Sequence, residues 1–225
     1  METMVVPLNL GMAKAFLLKG TRPVLVDTGI GMTRNRLFSA LAAQNVQPED
    51  IALIIITHGH SDHFGSVTAL RARSHAKVAI HRLDADALRT GVSSRLTARG
   101  FGGVLLKFVT PPGRKPQIVG FEPDIILEDE FDLNPFGIAG KVVWTPGHTP
   151  GSVSVILESG EAIVGDLMGS PLSGRRPSIA FWAWNREKSI ESIRKVLGFN
   201  PRVIYITHGA PLDPEAVRRL VSSDR

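Results

Sequence analysis

Thr57-His58-Gly59-His60-Ser61-Asp62-His63 is a heptapeptide that holds three imidazoles and a carboxylate within six consecutive positions. It directly follows the apolar run Ile51–Ile56, which predicts a buried β-strand. The glycine between the first two histidines removes a side chain that would crowd an ion, and it permits unusual backbone angles. We therefore predict a metal site in the turn after this strand. Imidazole nitrogens and carboxylate oxygens suit zinc, and also iron or manganese.

Three later segments repeat the same order of an apolar strand, a ligand residue and a tight turn. Each alone is more typical of an ordinary turn, but their recurrence in one chain favours a site assembled from strand ends. The segments are Thr145–Gly151 with His148 after the strand Lys141–Trp144, Gly165-Asp166 after Ala162–Val164, and Thr207-His208-Gly209 after Val203–Ile206.

Together these segments resemble the metallo-β-lactamase superfamily, whose signature is HxHxDH followed by a His, an Asp and a His on later strand ends. Val26-Asp27-Thr28-Gly29 is similar to the first motif of that family, so the resemblance covers nearly the whole chain. It implies an α/β fold, a four-layer αββα sandwich of two mixed β-sheets with helices outside. The site is then expected at one edge of the sandwich.

The resemblance also implies a role for each ligand residue. It assigns the first metal to His58, His60 and His148, and the second to Asp62, His63 and His208, with Asp166 bridging the two. Asp27 would support these ligands without touching metal. We thus expect two divalent ions, zinc first and iron or manganese as alternatives. The expected activity is hydrolysis by a metal-bridging hydroxide that Asp62 orients.

Departures from the family's branches narrow the substrate class. β-Lactamases with the HxHxDH motif generally lack a bridging Asp, so Asp166 argues against antibiotic hydrolysis. The oxygen-reducing diiron branch has Glu at the position of His60. The lactonases have a Tyr soon after the bridging Asp, and this chain has none there. We therefore expect a glyoxalase II-like hydrolase of a thioester or ester. The open alternatives are a phosphodiesterase or nuclease, a lactonase, a mononuclear-iron persulfide dioxygenase and a non-catalytic binding protein.

Composition restricts the site and its partners. The 225 residues contain no cysteine, which excludes thiolate ligands and disulfides. A net charge of +5 would suit an acidic partner, although a solvated basic surface is the more ordinary explanation of so modest an excess. The basic insertion and Arg175-Arg176 are expected either to select an acidic small-molecule substrate or simply to solvate their loops. Nucleic acid is disfavoured because no exosite or added domain is recognisable. We expect no membrane span, since no apolar run reaches about 18 residues, and a cytoplasmic location, since the start lacks a basic segment. The oligomeric state stays open.

The chain is expected to form one domain, residues 1–225, with a basic insertion at about 90–123 that is partly helical around Val104–Val109. Phe181–Trp184 is expected either to wall the substrate pocket or to pack in the core. His75 is expected at the surface and His81 at a strand end. Periodicity predicts further strands at Met4–Leu8, Lys14–Leu18, Val24–Val26, Lys77–Ile80, Ile125–Leu127 and Val153–Leu157, and helices at Met32–Gln44, Phe64–Ala72, Leu83–Leu88, Glu187–Leu197 and Pro214–Val221.

Overall fold

A computed structural model describes residues 3–94, 117–170, 176–180 and 182–222 of the chain. Most of the predicted basic insertion, its helix around Val104–Val109, Arg175 and the aromatic residue Phe181 lie outside these described residues. In the described part, no helix combines the length and the apolar character that crossing a membrane requires.

Within the described residues, the strands form two mixed sheets and one short pair. Their bounds are β1 Met4–Asn9, β2 Lys14–Lys19, β3 Val24–Val26, β4 Leu53–Ile55, β5 Lys77–His81, β6 Ile125–Leu127, β7 Glu130–Asp132, β8 Gly140–Trp144, β9 Val153–Leu157, β10 Glu161–Ile163, β11 Met168–Gly169, β12 Ser178–Ile179 and β13 Val203–Tyr205. The first sheet has the order β1-β2-β3-β4-β5-β6, and the second has the order β13-β10-β9-β8-β7. In the first sheet, β1 to β3 are antiparallel and β3 to β6 are parallel. In the second, only β10 and β13 are parallel.

The helices cover the outer faces of the two sheets. They are α1 Arg34–Ala42, α2 Ser61–Phe64, α3 Val67–Arg71, α4 Ala85–Thr90, α5 Arg186–Gly198 and α6 Pro214–Ser222. Side chains alternate between the two faces of a strand, so Leu25 and Ile54 pack with α1 to α4, whereas Val26 and Ile55 pack against the second sheet. A third apolar cluster joins the second sheet to α5 and α6. Three clusters between four layers confirm the predicted αββα sandwich.

The helix predicted over Phe64–Ala72 is shorter in the structure, where α3 covers Val67–Arg71 and a break at Gly65 and Ser66 separates it from α2. The carbonyl of His63 accepts hydrogen bonds from both the backbone N–H and the hydroxyl of Thr28, at 2.7 and 2.9 Å. The backbone N–H of Ser66 in turn donates to the Thr28 hydroxyl at 3.2 Å. These long-range bonds replace helical ones at the break. The short strands β7, β11 and β12 were also not predicted.

Candidate metal centre

The predicted ligand residues meet at one edge of the sandwich, because the strands that precede them run in compatible directions. Strands β3 and β4 are parallel, so Asp27 and the heptapeptide leave the first sheet at the same end. Strands β8, β10 and β13 also share one direction, so His148, Asp166 and His208 leave the second sheet together. The backbone N–H of Val153 donates to the Thr57 carbonyl at 2.9 Å and joins the two sheets at this edge.

Three histidines form one compact set, which we call the trihistidine group: His58, His60 and His148. The Nδ1 atom of His60 lies 3.0 Å from the Nε2 atom of His58 and 3.0 Å from the Nε2 atom of His148. All three residues are buried. Nitrogens bound tetrahedrally to zinc at 2.0–2.1 Å lie about 3.3 Å apart. The observed spacing is close to that value.

Four further residues form the mixed group: Asp62, His63, Asp166 and His208. The Nε2 atom of His208 lies 3.1 Å from Oδ2 of Asp62 and 3.3 Å from Oδ2 of Asp166. The same Asp166 oxygen lies 3.4 Å from Nε2 of His63. It is also 3.7 Å from Nε2 of His148 and 4.0 Å from Nε2 of His58, both in the trihistidine group. Asp166 therefore stands between the two groups.

In four of the five histidines, the Nδ1 atom contacts an oxygen outside the groups. His58 Nδ1 lies 3.1 Å from the Thr57 hydroxyl, and His63 Nδ1 lies 2.7 Å from Oδ2 of Asp27. His148 and His208 place Nδ1 2.5 Å and 2.7 Å from the carbonyls of Trp182 and Met12, respectively. A proton on Nδ1 leaves Nε2 as a lone-pair donor, which is how proteins orient histidine ligands.

A metal pair fits these residues. Nε2 of His63 and Oδ1 of Asp166 are buried and have no hydrogen-bond partner within the described parts of the chain. Unsatisfied buried polar atoms are rare and call for an explanation. Each group offers ligand atoms that all lie within 4.8 Å of one another, and nitrogen and carboxylate donors suit a divalent transition metal.

Electrostatics differ between the two groups. Burial, followed by neighbouring histidines, lowers the pKa of His58, and burial lowers the pKa of His60 to about 3. Burial would also lower the pKa of His63, but the charges of Asp27 and Asp166 outweigh it and raise that pKa well above its usual range. Burial likewise opposes the shift of His208, whose hydrogen bonds to Asp166 and Asp62 raise its pKa to about 10. Burial also lowers the pKa of His148. The trihistidine group is therefore neutral at pH 7, whereas the mixed group pairs cations with carboxylates.

The Asp62 and Asp166 carboxyls are ionised at neutral pH. Burial would raise the pKa of Asp62, but the hydrogen bond from His208 and the charge of His63 lower it to about 2. Burial opposes the shift at Asp166 as well, where the charge of His63 and the hydrogen bond from His208 lower the pKa well below its usual range. Both side chains therefore present charged oxygens to an ion.

A cavity of about 520 Å³ opens onto both groups. Its apolar lining includes Met12, Met168, Ala180 and Trp182, and the described residues that line it include no lysine or arginine. A groove of about 790 Å³ lies elsewhere, beside β7, β8 and Arg202, and is lined by no histidine. We assign the chemistry to the smaller cavity because the candidate ligands line it.

The structure also shows where the aromatic segment 181–184, the two remaining histidines and Tyr205 lie. Trp182 lines the cavity, whereas Ala183 is buried, so the aromatic segment both walls the site and contributes to packing. His75 is exposed, and His81 ends β5 and stacks on Trp144 with ring centroids 5.3 Å apart. Tyr205 lies in β13 and packs on the ring of Phe16 at 5.7 Å, and it is not among the residues that line the cavity.

Two contacts of the site were missed from sequence. Thr57 donates its hydroxyl to Oδ2 of Asp27 at 2.8 Å and contacts the ring of His58. Its position directly before the first histidine was the available signal. The carbonyl of Met12, which holds His208 from 196 positions away along the chain, leaves no signal in the side-chain sequence.

Comparisons with known proteins agree on the family that this chain resembles. The model of the metallo-beta-lactamase superfamily matches residues 8–208. Metallo-beta-lactamase domain-containing protein 1 of Rattus norvegicus is 52% identical over 58 residues, which are 25% of this chain and 23% of that protein. The chain thus matches less than a quarter of that relative's length. Probable metallo-hydrolase YflN of Bacillus subtilis (strain 168) is 25% identical over 203 residues, covering 84% of this chain and 76% of that protein.

A solved structure of similar fold is the metallo-beta-lactamase family protein TTHA1429 from Thermus thermophilus. Its TM-score to this chain is 0.69 at 25% sequence identity. The alignment covers 98% of this chain and 77% of that one.

Proposed function

The chain belongs to the metallo-beta-lactamase superfamily, and we propose that it is a dinuclear metal-dependent hydrolase of a thioester or ester. The observation that carries this proposal is the adjacency of two ligand groups, with Asp166 between them, both of which contribute residues to the lining of one cavity. Its relative YflN, named a probable metallo-hydrolase, supports the hydrolase class.

We assign His58, His60 and His148 to one ion, Asp62, His63 and His208 to the other, and Asp166 to both. Zinc is the leading metal for these nitrogen and oxygen donors, with iron and manganese as alternatives. When bound, such a pair lowers the pKa of water and stabilises negative charge on a substrate oxygen. The chain's own groups then have to orient water and substrate around it.

Asp62 is suited to orient the attacking water. Its carboxyl is ionised at neutral pH and its side chain is 37% exposed in the cavity. An ionised carboxylate accepts a hydrogen bond from water and so directs one lone pair of the water oxygen away from itself. His208 fixes Asp62 through the 3.1 Å contact, and Met12 fixes His208.

The apolar walls of the cavity suit an ester or thioester substrate. Met12, Met168, Ala180 and Trp182 offer apolar surface beside the ligand groups. Such surface accepts an acyl chain or the carbon skeleton of a thiol and excludes water from it. The packing of Tyr205 against Phe16 also gives no support to the lactonase alternative.

A hydrolysis screen tests the proposal. The zinc-loaded protein would be assayed with acyl thioesters, carboxylic esters, lactones, β-lactams and a chromogenic phosphodiester, beside the Asp166→Ala variant. We expect turnover of thioesters or esters, and its loss together with part of the bound zinc in Asp166→Ala. A folded protein that carries two zinc ions and hydrolyses only the phosphodiester, or nothing, would contradict it.

A further inference from the structure

Asp84 is a buried acidic residue that belongs to neither ligand group. It lies between β5 and α4 and is only 3% exposed. An aspartate just before a helix usually accepts a hydrogen bond from a backbone N–H of the first turn. The side chain of Asp84 makes no such bond with α4. Its carboxylate instead accepts hydrogen bonds from two loops of the metal centre.

The bonds of Asp84 reach the chain directly beside the trihistidine group. Its Oδ2 atom accepts from the backbone N–H of Gly59 at 2.8 Å and from the hydroxyl of Thr149 at 2.6 Å. Its Oδ1 atom accepts a longer bond from the N–H of Gly151 at 3.3 Å. Gly59 separates the first two histidines of the group, and Thr149 follows the third. One carboxylate therefore joins the two loops that carry all three imidazoles.

Both loops approach Asp84 at glycine positions. A Cβ atom on Gly151 would lie 2.8 Å from the Cβ of Asp84, closer than such atoms ever stand. A Cβ atom on Gly59 would lie 2.9 Å from the Cβ of Ala87, in the helix that Asp84 precedes. The contact is so close that a longer acid at position 84 would push the loops apart. The spacing of the loops is thus matched to the length of an aspartate.

We propose that Asp84 is a positioning residue that holds the two loops of the trihistidine group at the separation a metal ion requires. The inference rests on the proposed metal centre. One loop leaves β4 of the first sheet and the other connects β8 and β9 of the second. A charged acceptor shared by Gly59 and Thr149 strengthens both bonds and fixes this distance before metal arrives.

Zinc titration of the metal-free Asp84→Asn variant against a chromophoric chelator tests the proposal. His148→Ala and His208→Ala identify which of the two measured affinities belongs to which group. Outer partners of metal ligands typically contribute about 10–100-fold to affinity. We expect a loss of that size at the trihistidine group in Asp84→Asn, with the mixed group little changed.

Asp124→Asn is the matched control. Asp124 accepts a backbone hydrogen bond from Val78 at 2.9 Å, beside β6 of the first sheet, and contacts neither loop. We expect it to leave both zinc affinities unchanged even if it lowers the melting temperature. If Asp84→Asn fails to fold, Thr149→Val removes one of the same bonds while keeping the side-chain shape, and should weaken the trihistidine group by a smaller factor.

Two results would overturn the proposal. One is wild-type zinc affinity at both groups in a folded Asp84→Asn or Thr149→Val protein. The other is an equal loss at both groups, which a general loss of structure would produce. These outcomes are distinct from failure of the proposed function, in which the wild-type protein itself binds no zinc pair or hydrolyses no ester or thioester.

Discussion

Replacing Asp27 with asparagine should weaken zinc binding at the mixed group and destabilise the metal-free protein. Asp27 is fully buried and accepts three hydrogen bonds. They come from the Thr57 N–H at 2.8 Å, the Thr57 hydroxyl at 2.8 Å and Nδ1 of His63 at 2.7 Å. An asparagine has one acceptor oxygen. If that oxygen keeps the two bonds at the Oδ2 position, the amide group faces the Thr57 N–H, and two donors oppose each other.

The magnitude follows from that lost bond and from the lost charge. A buried donor without a partner costs about 1–3 kcal/mol. For a domain of this size, each kcal/mol lowers the melting temperature by about 2–4 °C. The His63 ring also loses the anion that fixes its Nδ1 proton, so zinc affinity at the mixed group should fall about 10–100-fold.

Thermal unfolding in the presence of a chelator measures the first effect, and zinc titration of the metal-free protein measures the second. Asp132→Asn is the control, because Asp132 is exposed and its side chain accepts hydrogen bonds from Asn134, two positions later. It should change the unfolding free energy by less than about 0.5 kcal/mol. If a folded Asp27→Asn protein has a lower melting temperature but unchanged zinc affinity, the inference that Asp27 orients His63 for zinc binding is refuted.

Two more predictions concern protons and backbone. The raised pKa values of His63 and His208 (the latter about 10) mean that both are protonated at pH 7 in the metal-free protein, so zinc uptake by the mixed group should release protons and strengthen as pH rises towards 10. The histidines of the trihistidine group have lowered pKa values, so this group should release fewer protons when it binds zinc. Calorimetry in buffers of different ionisation enthalpy measures the number of protons released at each group. Equal proton release at both groups would contradict this prediction. The Gly165→Ala substitution places a side chain at a φ of 55°, with its Cβ 2.9 Å from the Thr57 hydroxyl. We expect it to lower the unfolding free energy, measured by denaturant titration, by about 1–3 kcal/mol and to weaken zinc binding. Gly198→Ala, which meets no atom within 4 Å at the end of α5, should not lower the unfolding free energy, and similar losses in both variants would argue against a specific strain at Gly165.

Local sequence was a good guide to the strands and to the residues at their ends. Strands such as β4 are fully buried and consist of continuous apolar residues, so their positions can be predicted without a structure. The heptapeptide could also be recognised from the sequence, because its ligand residues are adjacent in the chain. By contrast, β11 and β12 have two residues each, which is too short for any periodicity. The break between α2 and α3 depends on Thr28, about 35 residues earlier, and no local pattern reports it.

The residue types alone were sufficient to predict a metal centre, because few arrangements other than metal binding explain histidines and aspartates at successive strand ends. Only the folded chain shows what holds them in place. The Met12 carbonyl behind His208 and the Asp84 carboxylate beside Gly59 and Thr149 are contacts between segments far apart in sequence. A carbonyl is present in every residue, and an aspartate before a helix is ordinary, so neither is distinctive until the two sheets pack. Packing sets which of these common groups faces a ligand, and that is why the support of the site emerged only from the tertiary structure.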